Sequence, residues 1–180
     1  GVMQFGDKMD TSKKDFVLKI ALSNTQSAAF QRGYVYSSNV SALDKSNFSK
    51  YFRSRLKSLE STYSNQPNEI EHIEIIESFR EDISKEYGHL LLDNKLRFGT
   101  AQKAVNLYVK FLWTLGYIEE QPPHCPIDGI VLKSVGLKDK WTELDCRQRY
   151  KQIIELVRQE ASEKELTIAE WEIMLWNTEA

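Results

Sequence analysis

The stretch "AQKAVNLYVKFLWTL", residues 101–115, carries apolar side chains at Ala104, Val105, Leu107, Tyr108, Val109, Phe111, Leu112, Trp113 and Leu115. Spread over most of a helix's circumference, they mark a helix buried on several sides rather than one with a single apolar stripe. The segment therefore predicts an all-α domain, a compact bundle built around this central helix.

Working outward, helical periodicity recurs in five further long segments, giving six main helices. Residues 12–32 show a weak stripe of Phe16, Val17, Ile20, Ala21 and Ala28. Residues 46–63 show a cleaner one of Phe48, Tyr51, Phe52, Leu56, Leu59 and Tyr63. After the loop "SNQP", Pro67 suits a first helical position, and Ile70, Ile73, Ile76, Ile83 and Tyr87 predict the buried face of a third helix ending near Gly88. Lys50, Arg53, Arg55 and Lys57 on one of these neighbours face Glu69, Glu71, Glu74 and Glu77 on the other, which predicts an antiparallel hairpin with complementary flanks. Helices over 142–161 and 167–176 each open on a capping pattern, "TELD" and "TIAE". A short helix is expected at 127–135. The last helix carries Trp171 and Trp176, both expected to dock on the core, with an exposed aromatic contact surface as the alternative.

The 180 residues suit one domain, spanning 1–180, with residues 1–11 expected to lack fixed structure and Gly1-Val2 ahead of Met3 reading as an expression remnant. With 41% apolar and 28% charged residues the composition is that of a globular protein. A net charge of −2 leaves no global positive field, so binding to nucleic acid would need a local patch. Six bases (Lys133, Lys138, Lys140, Arg147, Arg149, Lys151) stand against three acids (Asp139, Glu143, Asp145) in one such stretch. The "SKYFRSRLKS" run at 49–58 also mixes bases with aromatics, but its aromatics fall on core positions and it reads as a solvated helix face. No apolar run approaches the roughly 18 residues of a bilayer span. A cytoplasmic protein without membrane contact is expected, its two cysteines, Cys125 and Cys146, reduced.

Most chemical motifs are missing. There is no phosphate loop, dinucleotide fingerprint or G-x-S-x-G elbow, and no cofactor is expected. His124, Cys125, Asp128 and Cys146 are metal-ligand types at unsuitable spacing, so no metal is expected either. "PPHCPID", residues 122–128, reads in two ways: a rigid connector whose aspartate caps the next helix, or the acidic corner of an active site.

The second reading has a family behind it. "RFGTAQKAVNLYVKFLW" followed by "CPIDGIVLKSVG" resembles the core of the helix-hairpin-helix DNA glycosylase superfamily over about forty residues, under a quarter of the chain. Gly99 matches the first hairpin glycine, Lys103 the catalytic lysine, and Pro126 and Asp128 the Pro-x-Asp, while Val131 and Gly136 fall near later pattern positions. Ala101 replaces the second hairpin glycine, and Arg97-Phe98 stand where the family has an apolar residue and proline.

The resemblance implies a lysine nucleophile at Lys103, an electrostatic partner at Asp128, and contacts to DNA from Gly99, Thr100 and Lys133. A lysine in an apolar helix can be desolvated, which frees its amine to attack an electrophilic sugar carbon. Without the resemblance, Gly99 separates two helices, Lys103 extends its ammonium from a helix end, and the protein is expected to act through contact with an unidentified protein partner. The same region also looks like segments of bacterial helical proteins to which no activity is attached.

Overall fold

A computed structural model describes residues 5–31 and 35–179. Among the described residues there are eight α-helices and no strand: α1 (Phe5–Ala29), α2 (Ala42–Lys57), α3 (Leu59–Ser64), α4 (Glu69–Tyr87), α5 (Phe98–Thr114), α6 (Gly129–Ser134), α7 (Arg147–Glu163) and α8 (Ile168–Glu179). Short 3-10 turns lie at Gly88–Leu90, Leu92–Asn94 and Trp141–Glu143. The only sheet-like pairing among them is a single antiparallel bridge between Tyr36 and Leu91.

α5 is the expected centre. Every residue from Phe98 to Asn106 is buried, as are Tyr108, Val109 and Leu112. α1 and α4 pack along it, and α2, α3 and the 141–143 turn complete the ring. An aromatic cluster closes one end, where Phe52 meets Phe30, Phe48 and Phe79 at centroid separations of 5.1, 5.8 and 5.3 Å. Such ring pairs add to the area they bury.

Several expectations need correction. Residues 5–11 form the first turns of α1, while residues 1–4 lie outside those described. The expected stripe on α1 is rotated: Phe16 and Ile20 are 66% and 48% exposed, and the buried face is Leu18, Ala21, Leu22, Thr25, Gln26 and Ala29. The segment expected as one helix over 46–63 is two, α2 and α3, meeting at Ser58. Ile70 on α4 is exposed, and the acids of that helix turn mainly to α7: Glu74 pairs with Arg147 and Glu69 with Arg158, leaving Arg55–Asp82 as the α2–α4 ion pair.

The "TIAE" cap forms as expected, with Thr167 Oγ1 accepting from the Glu170 amide. "TELD" does not cap. α7 starts later, at Arg147, and Asp145 instead accepts from the Phe98 amide at the start of α5. A carboxylate satisfies any free amide within reach, near in sequence or not.

Candidate functional site

α5 places Lys103 and Lys110 seven residues apart, on nearly the same face and two turns along the helix. Each meets a carboxylate from a different element. Lys103 Nζ donates to Asp128 Oδ2 at 2.8 Å, and Lys110 Nζ donates to Glu172 Oε2 at 3.1 Å with Oε1 at 2.6 Å. Each ammonium also lies over an indole, Lys103 5.7 Å from the Trp141 centroid and Lys110 5.5 Å from that of Trp176. These groups line one open cleft of about 660 Å³, whose other walls include Ala28 of α1, Leu107 and Phe111 of α5, and Ile130 of α6. That lies within the range of ligand pockets, roughly 300–1,000 Å³.

Asp128 caps α6 through Oδ1, which accepts from the Val131 amide, and also faces Lys103 through Oδ2. The "PPHCPID" segment is held for this purpose by α5 itself. Gln102 donates through Nε2 to the Ile127 carbonyl and accepts through Oε1 from the Ile127 amide, at 2.7 and 3.0 Å. With residue 127 fixed from both sides, the next residue arrives at Lys103 with little freedom.

His124 anchors the other end of the segment. Its Nε2 lies 2.7 Å from Glu69 Oε1 and its Nδ1 2.7 Å from the Tyr150 hydroxyl. Asn106 Nδ2 donates to Tyr150 and to Gln102 Oε1, both at 3.1 Å, and Asn106 Oδ1 lies 2.7 Å from His72 Nε2. His72 Nδ1 meets the Tyr63 hydroxyl at 2.5 Å. A carboxylate and an amide oxygen can only accept, which places the proton of each imidazole on Nε2 and leaves Nδ1 as an acceptor. Burial lowers both histidines to about 3, His72 also through His124 and His124 also through the Arg158 guanidinium that shares Glu69. Both rings are neutral.

Glu172 is the most enclosed acid of the cleft, its side chain 4% exposed. Removal from water raises its pKa above the ordinary glutamate range, and the nearby Lys110 only partly opposes this. Its Oε1 is buried without an aligned hydrogen-bond donor despite the close ammonium. Burial likewise raises the thiol of Cys125, which sits behind the cleft, whereas Cys146 is exposed. Among the described residues no three His, Cys, Asp or Glu side chains are grouped to hold a metal ion.

Of the residues singled out in sequence, Lys103 and Asp128 converge and Lys133 stands on the cleft wall, exposed. Gly99 and Thr100 turn inward. The Gly99 amide donates to the Leu144 carbonyl at 2.7 Å, the Phe98 amide goes to Asp145, and Thr100 is 5% exposed, so the start of α5 offers a phosphate neither of those two amides. Two members of the local basic excess are also engaged, Arg147 with Glu74 and Arg149 with Asp139. Trp171 docks on the core as expected, whereas Trp176 stays 46% exposed over the cleft.

Lys110, Glu172 and Trp141 escaped the sequence reading. Lys110 had a signal, being a second lysine at heptad distance in an otherwise apolar helix. Glu172 had none, since a lone acid between Trp171 and Ile173 looks like any solvated position.

No protein-family model, no curated protein and no solved structure matches the chain. No described helix is long and apolar enough to cross a membrane.

Proposed function

We propose that the cleft takes an unpaired nucleotide of DNA and that Lys103 attacks its sugar, in the manner of a glycosylase or abasic-site lyase. One observation carries the reading: Lys103 Nζ and Asp128 Oδ2 meet at 2.8 Å, nearly buried, on the wall of an aromatic-lined cleft. Lysine and acid from elements 25 residues apart supply a nucleophile and a proton acceptor at one point.

On an abasic sugar the step balances as follows. Asp128 takes a proton from the Lys103 ammonium, and the freed amine adds to C1′ of the ring-opened aldehyde. The resulting carbinolamine loses its hydroxyl, which leaves as water with the proton that Asp128 returns, and a protonated imine remains. Trp141 walls the site and Trp176 offers a face for a base. Phosphate contact comes from Lys133 rather than from the amides of Phe98 and Gly99, which are already engaged.

Borohydride reduces such an imine to a stable secondary amine. Trapping on oligonucleotides with an abasic site is expected to give a covalent adduct that Lys103→Ala abolishes. An adduct of equal yield in that variant, or none with any single-stranded or duplex substrate, would sink the lysine mechanism.

A separate observation favours contact with a protein partner. Met9, Phe16 and Ile20 are exposed along one face of α1, at 43%, 66% and 48%. If that face is covered in use, Phe16→Ser with Ile20→Ser should leave the melting temperature within a few degrees and abolish any concentration-dependent association seen by sedimentation. Association that persists in the double variant would place the contact elsewhere.

A further inference from the structure

We propose that the cleft holds two consecutive unpaired nucleotides, with Lys103, Asp128 and Trp141 forming an inner subsite and Lys110, Glu172 and Trp176 an outer one. This rests on the nucleotide reading above and extends it from one base to a single-stranded step.

The two sets repeat the same chemistry. In each, an ammonium donor lies beside a carboxylate acceptor, and an indole flanks the ammonium. At the outer set the edge of a nucleobase, a donor next to an acceptor, can bond both members of the pair while its face meets Trp176, and the inner set meets the sugar of the neighbouring nucleotide. In the outer set Lys110 Nζ reaches both carboxylate oxygens of Glu172, at 2.6 and 3.1 Å, and the pair lines the cleft beside Trp176.

The two sets differ in access. Trp141 is 7% exposed and Trp176 46%, so the inner set is an enclosed wall and the outer one an open platform. Seven residues along α5 separate the lysines by about 10 Å, roughly three times the 3.4 Å rise between stacked bases of a strand. Two nucleotides seated at this spacing must be unstacked and splayed, which a single strand permits and a duplex does not. Lys133, on the same cleft, is placed to meet a backbone phosphate.

The test titrates the full chain with thymidine 5′-monophosphate, the dinucleotide thymidylyl-thymidine, a single-stranded oligothymidylate and a duplex, following tryptophan fluorescence and, independently, calorimetry. Affinity should rise about tenfold from mononucleotide to dinucleotide, little from dinucleotide to the oligomer beyond its added phosphate contacts, and be weakest for the duplex. Trp176→Ala should remove the increment, so that the dinucleotide binds no more tightly than the mononucleotide does to the same variant. Trp176 is half exposed, and a thermal melt confirms that the variant folds. Mononucleotide binding without a dinucleotide increment, or with an increment that survives Trp176→Ala, overturns the second subsite and leaves the nucleotide reading standing. Absence of binding by all four ligands overturns both.

Discussion

Gly99→Ala is expected to destabilise the fold by about 3 kcal/mol, the upper part of what overpacking costs. A Cβ at this position would stand 1.9 Å from the Trp141 carbonyl oxygen, 3.0 Å from that of Leu144 and 3.1 Å from Leu144 Cβ. Two of these are backbone atoms, which cannot rotate aside as a flexible side chain would. Relief requires moving the 141–143 turn, and with it the Gly99 amide bond to Leu144. Alanine brings a helix-propensity gain of about 1 kcal/mol at most, too small to change the sign. Urea unfolding is the measurement, with a midpoint lowered by about 1 M or more for an m-value of roughly 1–3 kcal/mol/M. A midpoint raised by the propensity gain would mean that the 141–143 turn does not sit against α5. Because that turn carries Trp141, ligand binding in the cleft should weaken together with stability.

Acid is expected to unfold the protein well above the pH at which ordinary carboxylates alone would do so. His72 and His124 are held neutral, with pKa values lowered to about 3, while in the unfolded chain they take up protons near 6.5. Between those values the unfolded state binds more protons, so stability is fully present above about pH 6.5 and falls as the pH drops. The slope is about 1.4 kcal/mol per pH unit for each histidine, or about 3 for the two together. Two pH units then remove about 5 kcal/mol, comparable with the entire stability of many domains. Glu172 works the other way, because its raised pKa lets the folded state take a proton more readily than the unfolded one just above pH 4.5. One opposing group does not offset two. The check is stability against pH from 7.5 to 4 for the protein and for His124→Gln, which cannot titrate. The variant's slope should be about half; an unchanged slope would remove His124 from the explanation.

The sequence displayed the centre of this fold because burial on all sides of α5 requires apolar residues on all sides, and composition shows that directly. It concealed the face of α1, where Thr25 and Gln26 are buried while Phe16 and Ile20 are not. Gln26 is held by Ser49 and Arg53 of α2, partners that no local period reveals. The same limit hid half of the cleft. Lys103 and Asp128 could be proposed as a pair from a resemblance, but Lys110 and Glu172 are joined across 62 residues by the docking of α8 alone. "TELD" misled because a cap is a local pattern, whereas Asp145 is drawn to the nearest free amide in space. The opposed charges of α2 and α4 misled because α7 brings arginines to the same acids.

The hydrogen bonds behind the cleft have a direction. Tyr63 donates to His72, His72 to Asn106, Asn106 to Tyr150, Tyr150 to His124 and His124 to Glu69, so that five successive bonds point the same way. Aligned dipoles reinforce one another, and this line terminates with its positive ends toward a carboxylate. Its members are consequently bound to a common polarity as well as to a common place. A replacement that reverses one donor mismatches the bonds on both sides of it, so tolerated variation along this line should come as compensated pairs, with the orientation inherited as a single trait.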